Sequence, residues 1–435
     1  MRWPWLRLPR NRRSRHARRE RPRRARLLLL LACAALGADL GLERLVLDDD
    51  RLLGRAIAPF DPPILHARQA RALEVLRTHL ETGAPAAEQL MFDADLGWCP
   101  QPHSRVGEFD YDWAGARVGL RPLLRAGAGA QRRLLALGCS FTLGEEVAGS
   151  ESWPAQLDAL LPQTEVANLA VEGYGLDQAL LRYRRDGRPL EAEEVWIGLL
   201  PSAVLRTTTL YPPALQHHSS LALFKPRFVL DAHERLRLVP NPAPSLERCL
   251  ELLSDQSAFL EAMLPHDSWV ARMPEAWAER GSRLGHHSAL IRLWHTLLEA
   301  RQRVPHAALR DPDHEAHRLA RALLLELERE VELDGARLRV LILPDESDLA
   351  HARKRTQPCW APLVEGLREA GLEVVELAPH FPAPGSADWR AHWAPRGHYS
   401  ALGHRRVARA LSELWTRKGS PARPAPQRVR ARAPR

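Results

Sequence analysis

The chain has 435 residues, 45% of them hydrophobic, enough for one large domain with insertions or two ordinary ones around a sizeable core. Lys and Arg exceed Asp and Glu by 62 − 53 = 9, yet Met1 to Arg26 alone holds twelve Arg and one Glu, and the segment from Arg417 is basic as well. The middle is therefore near balance, and with no zinc-ligand spacing, phosphate loop or aromatic–basic signature the sequence argues against nucleic acid, metal and cofactor.

Residues 1–26 read as a basic cytoplasmic arm and 27–47 as a signal anchor or signal peptide. Leu27 to Ala38 is apolar, Asp39 interrupts, and Leu40 to Leu47 continues with Glu43 and Arg44 inside. A membrane span usually needs about 20 apolar residues, so the first run fits a signal-peptide core better. The arginines predict a cytoplasmic N-terminus, a single inner-membrane anchor and a periplasmic or otherwise extracytoplasmic body. Residues 48–129 form a membrane-proximal region. Asp61-Pro62-Pro63 breaks the chain, Ala67 to Glu81 is helix-like, and Gly97-Trp98, Gly107 and Gly115 signal turns.

From residue 130 the pattern becomes regular. Leu134 to Leu137 is a short apolar run, turned by Gly138-Cys139-Ser140. Trp153 to Leu161 is an amphipathic helix ended by Pro162. Glu165 to Ala170, Glu194 to Leu199, Leu338 to Leu343 and Leu372 to Leu377 are further strands. Leu176 to Arg185, Glu365 to Ala370 and Leu402 to Thr416 are helices. Strands alternating with helices predict a parallel sheet covered on both faces, with sites beyond its carboxyl edge.

Between the third and fourth strands, residues 211–335 leave this pattern and read as a helical insertion that lids or flanks the site. Tyr211 to Pro244 is Pro-rich and partly extended. Ser245 to Met263, Glu275 to Arg303 and His314 to Leu333 look helical, the last stopped at Asp334-Gly335. Residues 417–435 read as a disordered basic tail. The five cysteines share no CxxC spacing, and Cys139 reads as a small buried residue beside Ser140.

Three stretches stand in a telling order: Gly138-Cys139-Ser140-Phe141-Thr142, then Asn168 to Gln178 around Gly173-Tyr174-Gly175, then Gly397-His398-Tyr399-Ser400. Together they resemble the SGNH/GDSL hydrolases over roughly 130–416. The resemblance implies an α/β, flavodoxin-like three-layer fold with a five-stranded parallel sheet. It implies a serine esterase or acyltransferase without cofactor, acting on an ester such as an acylated glycan. On this resemblance Ser140 is the nucleophile and His398 its base. The N–H groups of Ser140 and Gly173 line the oxyanion hole. A hydroxyl needs such a base within hydrogen-bond reach, and the developing oxyanion needs preorganised donors.

The sequence departs from the family pattern at three points. GDS becomes GCS. The block-three Asn is absent, with Ser202 near its place. The Asp expected just before the histidine is replaced by Pro395 and Arg396, so either Asp388 reaches His398 from the preceding loop or a Ser140–His398 dyad works alone. The second reading is an envelope protein with an impaired site that binds glycan or a protein partner. Asp177-Gln178 could bind substrate, and Lys225-Pro226-Arg227 with Arg206 could meet an anionic polymer. His404 is expected to cap the last helix.

Overall fold

Six residues that are buried on both faces make the centre of the main sheet: strand β3 (Glu194–Leu199). A strand without a solvent face has to lie inside a sheet covered on both sides. In the computed structural model it is flanked by β1 (Arg132–Leu137) and β4 (Arg337–Ile342), with β2 (Thr164–Asn168) and β5 (Val374–Glu376) at the edges. Every pairing is parallel, with Glu194 opposite both Leu134 and Arg337. The order across the sheet is β2-β1-β3-β4-β5, the doubly wound, flavodoxin-like arrangement.

The structure describes residues 26, 29–42, 47–48, 51–52, 55–56, 67–82, 91–125, 132–161, 163–216, 223–272, 305–355 and 357–417. Contacts divide the chain into two units, Met1–Asp61 with Trp277–Ala300, and Pro62–Ala276 with Arg301–Arg435. The sheet belongs to the second.

Alternation along the strands sorts the core into two layers. Leu135, Val195, Ile197, Val340 and Ile342 face a layer made by α3 (Leu176–Arg182), α4 (Glu315–Leu333) and α5 (Ala361–Glu369). Leu134, Ala136, Trp196 and Leu341 face α2 (Trp153–Leu160) and α6 (Ala401–Arg417). Each Leu buried this fully contributes about 1.5–3 kcal/mol over its exposed state.

The segment expected as an insertion divides into parts. Its last helix, α4, is a layer of the core, burying Leu319, Leu323, Leu327 and Val331 in the cluster that holds β4. Its Pro-rich start contains a hairpin, Arg227–Leu230 against Leu236–Val239. The single helix expected over Ser245 to Met263 is two, Leu246–Ser254 and Gln256–Met263, because Asp255 leaves the helix and caps the second one through the Ser257 and Ala258 N–H groups. The helix expected over Glu275 to Arg303, and the tail beyond 417, lie outside the described residues.

In the first unit residues 29–42 are helical. Among the described residues, no helix is long and apolar enough to cross a membrane.

Candidate active site

β1 ends at Leu137, and the chain must enter a helix within two residues. Gly138 makes that possible with φ of +144°, and a Cβ there would lie 2.9 Å from the Gly198 carbonyl oxygen. Ser140 then opens α1 (Ser140–Leu143), a single turn closed by Gly144. Glu145 and Glu146 follow.

This turn is held from outside. The Arg117 guanidinium, 5% exposed, donates to the carbonyls of Leu143 at 2.6 Å, Gly144, and Val147 at 2.6 Å. Burial pulls the Arg117 pKa down to about 10, with Tyr111 acting the other way, so it stays a cation at neutral pH. Asn168, at the end of β2, adds bonds from Nδ2 to the Thr142 and Leu143 carbonyls, both at 3.2 Å. Two buried side chains therefore fix the backbone that carries the serine and both glutamates.

His398 comes from the loop before α6. That loop closes on itself, with the Ala394 N–H donating to the His398 carbonyl at 2.8 Å. Tyr399, fully buried, anchors it by donating to the Pro344 carbonyl at 2.7 Å. Phe141 packs on the imidazole with ring centroids 5.1 Å apart.

These elements bring Ser140 and His398 together. His398 Nε2 is 3.0 Å from Ser140 Oγ, and Nδ1 is 2.7 Å from Glu146 Oε2. Glu146 also accepts from the His398 N–H at 3.1 Å and from the Arg396 N–H at 2.7 Å. Glu145 approaches Nε2 at 3.2 Å and pairs with Arg396 at 3.0 Å. Burial opposes a charge on His398, but the two carboxylates outweigh it and raise its pKa above the ordinary value. Burial likewise opposes ionisation of Glu145 and Glu146, and bonds from His398 and the Arg396 region outweigh it, so both carboxyls are lowered.

Gly173 lies beside this centre. The Val171 N–H donates to the Gly138 carbonyl at 3.2 Å, tying the loop after β2 to the turn before Ser140. Trp98 Nε1 donates to the Glu172 carbonyl at 2.8 Å, and Tyr174 returns a bond to the Trp98 carbonyl at 2.6 Å. Gly173 has φ of +76°, open to glycine at no steric cost. Among the described residues, neither its N–H nor that of Ser140 donates a hydrogen bond.

Other expected residues lie elsewhere. The Asp388 carboxylate accepts from Ser386 Oγ at 2.9 Å, and the acid at His398 Nδ1 is Glu146. Ser202 donates its hydroxyl to Asp345 at 2.6 Å, so it is committed to the loop after β4 rather than offered to an oxyanion. His404 sits inside α6, fully buried, and accepts from the Trp153 N–H at 3.1 Å, joining α6 to α2 instead of capping. Asp177 is buried against Lys225, Gln178 is buried against the Leu96 carbonyl, and Arg227 is buried against Glu315. Asp177, Lys225 and Gln178 thus find their partners inside the protein, and the buried Arg227 reaches the half-exposed Glu315. Arg206 alone of the expected basic set stays beside the Gly173 loop, with Nη1 3.4 Å from the Tyr174 carbonyl.

One set of metal-type donors occurs among the described residues, His306, Asp348 and Cys359, with donor atoms within 4.8 Å of one another. They come from three separate segments, so no sequence spacing marks them. His306 already bonds Asp348 at 2.6 Å, the contact that a buried carboxylate needs.

No family model matches the sequence, and no curated protein matches it. Solved structures are similar. A catalytic mutant of an acetylxylan esterase from Geobacillus stearothermophilus is 14% identical, with TM-score 0.34, over 66% of this chain and 94% of that one. A member of the lipolytic G-D-S-L family from Veillonella parvula is 11% identical, with TM-score 0.32, over 66% of this chain and 99% of that one. An alpha/beta hydrolase enzyme from the metagenome of Lake Arreo is 12% identical, with TM-score 0.33, over 65% of this chain and 94% of that one. Likenesses at this level fix neither activity nor substrate, and the fold assignment rests on the chain's own strand order.

Proposed function

We propose that this protein is a serine esterase or acyltransferase of the SGNH type. One observation carries the reading: a hydroxyl, an imidazole and a carboxylate in relay, Ser140 Oγ to His398 Nε2 at 3.0 Å and His398 Nδ1 to Glu146 at 2.7 Å. In this reading Glu146 fixes the tautomer with Nδ1 protonated, leaving the Nε2 lone pair for the Ser140 proton. Ser140 attacks the ester carbonyl, and the N–H groups of Ser140 and Gly173 receive the oxyanion. His398 then returns the proton to the leaving alcohol. Water completes hydrolysis, and an acceptor hydroxyl completes transfer.

The substrate in this reading is an ester outside the cytoplasm, for example an acylated glycan. The support is the charge asymmetry around 27–47, which we take as a signal or anchor. A reporter fused after Thr416 should be active only in the periplasm, and cytoplasmic activity would overturn the export reading.

The chemistry is tested with a short-chain aryl ester. Ser140→Ala and His398→Ala should each abolish turnover in folded protein, and the double variant should lose little more, because nucleophile and base act as a unit. Unchanged turnover in either variant would refute the assignment.

A further inference from the structure

A serine–histidine relay requires one carboxylate, on Nδ1. His398 has two, from consecutive residues: Glu146 is 2.7 Å from Nδ1 and Glu145 is 3.2 Å from Nε2. The same Nε2 is 3.0 Å from Ser140 Oγ. A neutral imidazole protonated on Nδ1 turns a lone pair toward Glu145, which is repulsive. An imidazolium turns an N–H toward it, which is a charge-assisted bond. Both glutamate side chains are only 7% exposed, so solvent screens little of this difference.

We propose that Glu145 is a second carboxylate of the catalytic centre, which favours the protonated ring of His398 over the neutral one and so stabilises the imidazolium formed when Ser140 attacks. The proposal rests on the Ser140–His398 reading above. The proton balance is that of a serine hydrolase. As the bond from Oγ to the acyl carbon forms, the Oγ proton passes to Nε2. As the carbon–oxygen bond to the alcohol breaks, that proton passes to the leaving oxygen. Glu145 takes no proton. It lowers the energy of the state in which Nε2 carries one.

The charges around the ring have a definite sum. Glu145, Glu146, Arg396 and the imidazolium add to zero, and loss of the imidazole proton leaves −1. Arg396, 3.0 Å from Glu145 and 3.6 Å from Glu146, offsets the carboxylates from the solvent side. Two further titratable groups act on the ring through their charge. Glu172, in the loop after β2, adds to the negative side when ionised, although burial raises its pKa. His404, from α6, is pushed down to about 3 by burial and stays neutral through the working range. Removing the Glu145 charge should therefore lower the His398 titration midpoint, and removing the Arg396 charge should raise it.

The experiment follows the His398 imidazole by NMR titration in the Ser140→Ala background, so it does not depend on turnover. An opposite charge at this range moves a pKa by 1–3 units, so Glu145→Gln should shift the midpoint down by about one unit or more. Arg396→Gln should shift it up. In active protein the acidic limb of kcat/KM should move the same way, to lower pH in Glu145→Gln and to higher pH in Arg396→Gln. If Glu145→Gln fails to fold, the exposed Arg396→Gln carries the test. Unchanged or reversed midpoints would overturn the role of Glu145. A wild-type protein that turns over no ester while its midpoints shift as stated would instead refute the esterase reading.

Discussion

Replacing Glu146 by Gln keeps the shape of the side chain and removes the acceptor that fixes His398. Glu146 receives three bonds in the structure, at 2.7 Å from His398 Nδ1, 3.1 Å from the His398 N–H and 2.7 Å from the Arg396 N–H. A glutamine can turn its oxygen to only part of this set. If its NH2 group meets Nδ1, the imidazole takes the other tautomer and Nε2 no longer accepts the Ser140 proton. Loss of the orienting acid with geometry intact costs about 10⁴ in kcat in serine proteases. Glu145 remains nearby but sits on Nε2, so it cannot restore the tautomer. We therefore expect Glu146→Gln to lose about 10³–10⁴ in kcat on a short-chain aryl ester, with KM little changed. Asp388→Asn should leave kcat as it is, because the Asp388 carboxylate is bonded to Ser386. A mild Glu146→Gln, or a large loss in Asp388→Asn, would refute the assignment of the acid.

Three further outcomes follow from the same structure. Arg117→Lys cannot reach the Leu143, Gly144 and Val147 carbonyls together, and at about 1.5–3 kcal/mol for each bond to a charged group it should lower thermal stability as well as kcat, read by calorimetry and turnover. Lys225→Met leaves Asp177 as an unpaired buried charge and should cost about 3–5 kcal/mol in denaturant unfolding, whereas Lys225→Met with Asp177→Leu should recover most of it and leave KM unchanged if the pair takes no part in substrate binding. Cys139→Ala should change turnover little, since the buried Cys139 supplies no side-chain cap to α1, and inactivation there would shift the nucleophile assignment.

The sheet was legible because its strands carry apolar runs bounded by Gly and Pro, and β3 matches its expected limits, Glu194–Leu199. The meeting of Ser140 with His398 was legible because each sits in a local motif, in a fixed order. Glu146 was not. It meets His398 across 252 residues, and only the adjacent acidic pair beside an Arg in the histidine loop hinted at it. Arg117 was invisible for the same reason, since its partners are backbone carbonyls and carbonyls leave no mark in a sequence. The roles offered for Asp177 and Lys225 failed on a general ambiguity. A charged residue that is buried in a pair reads like one that waits for a ligand. α4 was read as insertion because its apolar stripe shows that it packs, without showing on what.

The central claim is that His398 and Glu146 activate the Ser140 hydroxyl. A fluorophosphonate reports this directly, because it reacts with an activated serine and leaves an ordinary one untouched. Folded wild-type protein should be labelled once, with the mass added on the peptide that contains Ser140, and Ser140→Ala and His398→Ala should remain unlabelled. A folded wild-type protein that takes no label at Ser140 would contradict the account.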